Sequence, residues 1–93
     1  MERITMKDLE QVVRIINRET ENPETSYTKK DGKFTANIGN YHLDGAYGGW
    51  SLEQMTNEAG GVDDTLRCGH VSKRELYNRM RAFLDGLRAH KTA

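Results

Sequence analysis

The chain has 93 residues, 35% of them hydrophobic and 30% charged, and its 14 basic side chains equal its 14 acidic ones. A chain of this length forms one domain with a modest core, so we expect a single domain over residues 1–93, with residues 1–5 and 89–93 as loose ends. The zero net charge excludes an acidic mimic of nucleic acid, and the single cysteine, Cys68, excludes an intramolecular disulfide.

The expected location follows from two further features of the sequence. No apolar run approaches the roughly 20 residues that span a bilayer. Residues 1–4 include two charged side chains and contain no apolar leader segment. We therefore predict a cytoplasmic protein that does not associate with a membrane.

A first helix is predicted over residues 6–18. Thr5 is a suitable N-cap, and Asp8 places a negative charge in the first turn, where it suits the helix dipole. Apolar residues then recur at helical spacings, at Met6, Leu9, Val12, Val13 and Ile16.

A β-hairpin is predicted next. Asp31-Gly32 is a strong turn signal between residues 26–30 and residues 33–38. In the second of these runs every other residue is apolar, which predicts a half-buried strand with one wet face. These apolar residues are Phe34, Ala36 and Ile38.

Further strands are predicted on both sides of a Gly48-Gly49 turn, the first of them over residues 41–45. Residues 51–55 fit either a strand or a short helix, because a serine and a glutamine three residues apart would also form a capping box. We favour the strand, since the segment is short and lies between two glycine pairs. Residues 62–66 are a weaker candidate for an edge strand.

The final helix has the clearest start of any predicted element. Ser72 and Glu75 form a capping box, in which each side chain binds a free amide of the other residue. Gly86 weakens the helix by about 1 kcal/mol relative to alanine, so we expect fraying after it. An apolar stripe follows the cap, at Leu76, Tyr77, Met80, Phe83, Leu84 and Leu87.

The order of predicted elements defines an α+β fold. A helix is followed by three or four antiparallel strands that form a meander sheet, and a second helix ends the chain. In the natural packing of this order, both helices cover one face of the sheet.

The basic residues are concentrated near the C-terminus. Residues 72–93 contain six basic and two acidic side chains and carry +4, which leaves −4 on the rest of the chain. Arg74, Arg81 and Arg88 are spaced by seven and drift by only about 20° per heptad, so they form one ridge on the helix. Together with Lys73, this ridge fits either a surface that follows phosphates or a solvated helix face whose arginines pair with acids of the fold.

Three aromatic residues, Tyr41, Tyr47 and Trp50, are predicted to gather around the Gly48-Gly49 turn. Exposed aromatic side chains there would stack on bases or anchor a protein partner. The alternative is that they pack in the core or cover the end of a hairpin.

Neither a metal site nor an active site is predicted. The candidate ligands Cys68, His70, His42 and Asp44 lack the recurring spacing of a structural zinc site. The carboxylates of Asp63-Asp64 are more simply explained by a turn, where aspartate bonds to its own backbone. No nucleophile, base and oxyanion donor form a complete set, so we predict no metal, no cofactor and no enzymatic activity.

Three segments between residues 40 and 87 form a recognisable pattern: YHLDGAYGG at 41–49, GGVDD at 60–64 and GHVSKRELY at 69–77. The pattern resembles small uncharacterised proteins that bacteriophages and integrated elements of bacteria encode. This resemblance implies an origin in a mobile element and carries no assigned activity.

The order of helix, strands and helix, with Ser72-Lys73-Arg74 at the start of the last helix, is also similar to the double-stranded-RNA-binding domain. In that family, basic residues at this position contact phosphates across a groove. The chain departs from the family at Leu76, Tyr77 and Met80, where small residues are expected.

We therefore predict a small non-enzymatic accessory protein of a phage or mobile element that binds a macromolecule. The leading hypothesis is a host or phage protein as partner, or a second copy of the chain, because nucleic-acid-binding proteins usually carry excess positive charge. The alternative is charge- and shape-driven binding of nucleic acid through the basic C-terminal helix. The expected binding residues are Lys73, Arg74, Arg81, Arg88, Tyr47 and Trp50.

Overall fold

The structure, a computed structural model, describes the backbone of residues 3–92 and the side chains of residues 3–90. A helix lies at each end of the described chain and β-strands lie between them, which confirms the α+β class. The elements are α1 Met6–Glu19, β1 Tyr27–Lys30, β2 Lys33–Ala36, β3 Tyr41–Ala46, β4 Gly49–Met55, β5 Val62–Asp64 and α2 Lys73–Thr92.

The two chain ends differ from each other in structure. Residues 3–5 precede α1 and belong to no helix or strand. At the other end, α2 continues past Gly86 to Thr92, so residues 89–92, expected as a loose end, are helical. Residues 1, 2 and 93 of the expected loose ends lie outside the described residues. No helix in the described range is long and apolar enough to cross a membrane.

Helix α1 begins where its cap predicts. The Asp8 N–H donates to Thr5 Oγ1 at 3.3 Å, and the Thr5 N–H donates to Asp8 Oδ2 at 2.8 Å. The capping box is therefore reciprocal, and it fixes the first turn of the helix. Most of the predicted apolar stripe is buried, at Leu9, Val12, Val13 and Ile16.

The strands form two antiparallel sheets instead of one meander. β1 and β2 form a two-stranded hairpin, whereas β3, β4 and β5 form a three-stranded sheet in that order. The strand predicted over residues 51–55 is confirmed as part of β4, and the edge strand expected over residues 62–66 is the three-residue β5.

The prediction that β2 is half-buried is wrong. Phe34 is 69% exposed, and Ile38, which lies beyond the end of β2, is 55% exposed. Only Ala36 is buried, where its N–H donates to the Glu58 carbonyl at 3.1 Å. Within residues 3–92 the hairpin pairs with no strand of the larger sheet, and Phe34 remains largely exposed.

Both helices pack on one face of the β3–β4 pair, as predicted. Residues that pair across two strands point to the same side of the sheet, and the covered side includes the pairs Leu43 with Leu52 and Gly45 with Trp50. The core joins α1, β3, β4 and α2 through buried side chains, namely Leu9, Val12, Val13, Ile16, Tyr41, Leu52, Leu76, Met80 and Leu84.

The two helices lie side by side and run in the same direction. Thr5 and Ser72, the residues before each helix, line the same groove. Near the other end, Glu19 Oε1 of α1 lies 3.6 Å from Arg88 Nε of α2. Because the N-terminus of a helix is the positive end of its dipole, both positive ends lie at the same end of the molecule.

A buried asparagine joins α1 to the edge strand of the larger sheet. Asn17 is 1% exposed, its Oδ1 accepts a hydrogen bond from the Tyr41 N–H at 2.7 Å, and its Nδ2 donates to the Tyr41 carbonyl at 2.9 Å. The side-chain amide therefore satisfies the backbone groups that a neighbouring strand would otherwise pair with.

We predict that Asn17→Ala lowers the free energy of unfolding by about 2–4 kcal/mol, because a buried N–H and a buried carbonyl both lose their partner. Urea denaturation measures the change. Asn78→Ala, at an exposed position of α2, is the matched control and should shift stability by less than about 0.5 kcal/mol. Equal losses in the two variants would contradict the structural role of Asn17.

A second prediction concerns alkaline stability. Burial raises the pKa of the Tyr41 phenol above its usual value of 10.0. The folded chain therefore holds this proton more tightly than the unfolded chain, and the associated stability is lost as pH rises above about 10. Between about pH 8 and about pH 11 the melting temperature of the wild type should fall more steeply with pH than that of Tyr41→Phe. Parallel curves would refute the prediction.

Candidate cationic groove

An open groove of about 770 Å³ lies at the end of the molecule where both helices begin. Of the described residues that line it, three are cationic, Arg3, Lys73 and Arg74, and none is acidic. The positive ends of the two helix dipoles add to the field of these side chains, so the groove attracts anionic groups. We call it the cationic groove; its other lining residues are Ile4, Thr5, Met6, Gly48, Trp50 and Ser72.

The β3–β4 turn beside this groove is displaced by one residue from its prediction. Tyr47 and Gly48 have φ angles of 54° and 75°, as in a type I′ hairpin turn. Gly49, predicted to be in the turn, is the first residue of β4. A Cβ on Gly49 would lie 2.9 Å from the His70 carbonyl carbon, so the close approach of the chain before α2 explains the glycine.

Tyr47 itself is 98% exposed. Its aromatic contact is an edge-on arrangement with His70, with 5.7 Å between the ring centroids. A positive φ is unfavourable for a bulky residue, by roughly 1–2 kcal/mol. Tyr47 therefore adds almost no buried area to the fold at a position where asparagine or glycine would be more stable.

Trp50, the second predicted anchor, is half-buried. Its indole packs over Gly45, the residue that pairs with it on β3, and a Cβ on Gly45 would lie 2.8 Å from the indole ring. Its backbone N–H donates to the Val71 carbonyl at 2.8 Å, and the Val71 N–H donates back at 2.9 Å. Trp50 thus holds the segment before α2 against β4 while it also lines the cationic groove.

The predicted arginine ridge is divided by its surroundings. Arg74, Arg81 and Arg88 are all exposed, but only Arg74 lines the cationic groove. Arg88 forms the ion pair with Glu19, and Arg81 lines a small cavity together with Asp8 of α1. Acidic residues of α1 therefore accompany Arg81 and Arg88, as the solvated-face interpretation expects.

The prediction that three aromatic residues cluster around the turn is wrong for Tyr41. This residue lies at the opposite end of β3 from the turn, is 8% exposed and packs edge-on against Phe83, with 6.0 Å between the ring centroids. A strand rises about 3.3 Å per residue, so the length of β3 keeps Tyr41 far from Tyr47.

Ser51, His70 and Asp44 meet on the sheet face that the helices leave uncovered. His70 Nε2 lies 2.7 Å from Asp44 Oδ2 and 3.5 Å from Ser51 Oγ. Both oxygens approach the same ring nitrogen, so a histidine that donates to Asp44 through Nε2 cannot accept the serine proton there. Ser51 is also only 1% exposed. This arrangement orients His70 and does not activate a nucleophile.

The predicted metal candidates do not gather into a site. Across the described residues, no group of three or more histidine, cysteine, aspartate or glutamate side chains is placed to hold a metal ion. His42 instead faces Glu53, with 3.3 Å between Nε2 and Oε1. Asp64, at the end of β5, accepts hydrogen bonds from the Arg67 and Gly69 N–H groups at 3.2 and 3.0 Å, which is the turn role expected of it, whereas Asp63 is paired within the sheet.

Sequence reasoning did not identify Arg3 as part of the groove. Arg3 meets Lys73 and Arg74 only because α1 and α2 lie side by side in the same direction. No local motif signals such a contact between residues 70 positions apart.

Comparisons with protein-family models, with curated protein sequences and with solved structures found no match to this chain.

We predict that Tyr47→Asn raises the free energy of unfolding by roughly 1 kcal/mol, because asparagine tolerates a positive φ better than tyrosine does. Urea denaturation measures the gain. Tyr77→Asn is the contrasting variant, since Tyr77 packs against the core and its loss should destabilise the chain. A loss of stability in Tyr47→Asn would show that the Tyr47 ring supports the fold.

Proposed function

We propose that the chain is a small non-enzymatic binding protein that recognises an acidic surface of a protein partner through the cationic groove and Tyr47. The observation that carries this proposal is the 98% exposed Tyr47 at a positive φ, in a turn whose next residue, Gly48, lines the groove together with three cationic side chains. Tyrosine, tryptophan and arginine are the residue types that contribute most to binding energy at protein interfaces.

The distribution of charge supports an acidic protein as the partner. Arg3, Lys73 and Arg74 are concentrated at one end of a chain whose net charge is zero. Such a chain attracts a polyanion only weakly over long distances, but it presents a strong local field to a small acidic patch. A local patch of carboxylates is more typical of a protein surface than of a nucleic acid.

The surroundings of α2 also favour a protein over nucleic acid. Binding along the whole helix would require Arg74, Arg81 and Arg88 to contact successive phosphates. Glu19 lies next to Arg88, and Asp8 shares a cavity with Arg81, so phosphates along this path would meet carboxylates of α1.

We place the protein among accessory proteins of phages or mobile elements, acting in the cytoplasm. The pattern of residues 41–49 and 69–77 supports the origin, and the single cysteine is typical of a reducing compartment. The partner is then a host or phage protein, or a second copy of the chain, whose residues 1–71 carry a net −4.

The proposal predicts that binding of the partner protein requires the cationic groove and Tyr47. Immobilised protein is incubated with a nuclease-treated bacterial lysate, and the captured protein is identified and purified for affinity measurement. Tyr47→Asn and the double variant Lys73→Gln/Arg74→Gln should each weaken binding by about tenfold or more.

The double variant Arg81→Gln/Arg88→Gln is the control, because it removes the same charge from α2 outside the groove. It should change the affinity by less than about threefold. Equal losses in both double variants would refute recognition by the groove. Capture from an untreated lysate that is lost from the nuclease-treated lysate would replace the protein partner with nucleic acid. Sedimentation at twice the 10.6 kDa chain mass, lost in Tyr47→Asn, would identify a second copy as the partner.

A further inference from the structure

We propose that the β1–β2 hairpin, residues 27–36, is a binding surface for single-stranded nucleic acid. It lies away from the cationic groove, and the inference does not depend on the function proposed for that groove. Its basis is a combination of exposed lysines and exposed aromatic rings on one isolated pair of strands.

The hairpin carries more positive than negative charge. Lys29, Lys30 and Lys33 are exposed, and Asp31 in the turn is the single acidic residue of the hairpin. The five ion pairs found among the described residues involve none of these three lysines. Three ammonium groups are therefore available to contact phosphates.

Aromatic rings lie on the same face as one of these lysines. β1 and β2 pair Tyr27 with Ala36 and Lys29 with Phe34, so Tyr27, Lys29 and Phe34 point to the same side. Phe34 is 69% exposed and Tyr27 is 49% exposed. The Lys29 ammonium lies 5.7 Å from the centroid of the Phe34 ring. Bases stack on aromatic rings, and adjacent cations hold the phosphates between successive bases.

The exposed rings favour single strands over duplexes. The faces of paired bases are covered by their neighbours in the stack, so a ring such as Phe34 reaches a base face only when the base is unpaired. Lys30 and Lys33 point to the opposite face and flank the turn of the hairpin. Their long side chains would contact the phosphates of a strand that passes from the Phe34 face over this turn. Aromatic stacking with phosphate contacts binds strands with little dependence on sequence.

The hairpin surface is structurally separate from the cationic groove. The Ala36 N–H donates to the Glu58 carbonyl, and a Cβ on Gly60 would lie 3.0 Å from the Tyr27 hydroxyl. The hairpin therefore lies beside the loop between β4 and β5. The cationic groove lies at the other end of β4, next to the Tyr47 turn.

The test is fluorescence anisotropy with labelled single-stranded DNA, single-stranded RNA and a DNA duplex of the same sequence, at several salt concentrations. The variants are Phe34→Ala, Phe34→Tyr and the triple variant Lys29→Gln/Lys30→Gln/Lys33→Gln. A second triple variant, Lys7→Gln/Arg14→Gln/Arg67→Gln, removes three exposed charges from other surfaces and serves as the control. Melting temperatures check that each variant is folded.

We expect the single strands to bind more tightly than the duplex. Phe34→Ala should weaken binding at least about fivefold, whereas Phe34→Tyr, which keeps an aromatic ring, should stay within about twofold of the wild type. The hairpin lysine variant should reduce the slope of log K against log salt by about 2, since each phosphate contact on a single strand contributes about 0.7. The control should leave this slope unchanged.

Three results would overturn the proposal. They are the absence of binding at low salt, a preference for the duplex, and equal weakening by the two triple variants, which would indicate non-specific charge. If Phe34→Ala lowers the melting temperature, the affinities of Phe34→Ser and Phe34→Tyr are compared instead. Equal affinities of these two variants would exclude stacking of bases on the ring.

Discussion

The pair of hydrogen bonds between the Asn17 amide and the Tyr41 backbone determines how α1 sits on the larger sheet. A buried donor and a buried acceptor leave little freedom, because both must be satisfied at once and in one orientation. With α1 held at the edge of β3, its apolar stripe covers the sheet next to α2, and the starts of the two helices lie together. The cationic groove exists because of this placement.

The same packing explains why a zero net charge gives a misleading picture of the surface. Positive charge is gathered in two places, at the groove where the helices begin and on the hairpin. The contrast in charge between residues 72–93 and the rest of the chain indicates the first of these places. It hides the second, because Lys29, Lys30 and Lys33 lie within residues 1–71, which carry a net −4. Fields at a protein surface depend on where charges lie and not on their sum.

Features that depend on a few neighbouring residues could be predicted from the sequence. The capping residues Thr5 and Ser72 and the Asp31-Gly32 turn mark elements that the structure contains, because hydrogen bonds and backbone angles within four residues decide them. The strand over residues 51–55 is in this group, since glycines on both sides limit its length.

Features that depend on distant packing could not be predicted. Alternation shows which residues of β2 share a face, but not whether another element covers that face, and so Phe34 was expected to be buried. At the site, Lys73, Arg74, Trp50 and Tyr47 do lie at one end of the molecule, as their positions around one turn and one helix start indicate. Arg3 joins them only through the packing of α1 against α2, and Tyr41 leaves them because β3 carries it to the core.

The hairpin has a consequence for how the molecule opens. Two strands alone are only marginally stable in water, and this pair contributes Ala36 alone to the buried apolar residues. Its amide hydrogens should therefore exchange with solvent through local opening, at a lower free energy than those of β3, β4 and the helices, which share one core. A ligand that binds only the closed hairpin therefore has an apparent affinity that is lowered in proportion to the fraction of molecules with a closed hairpin.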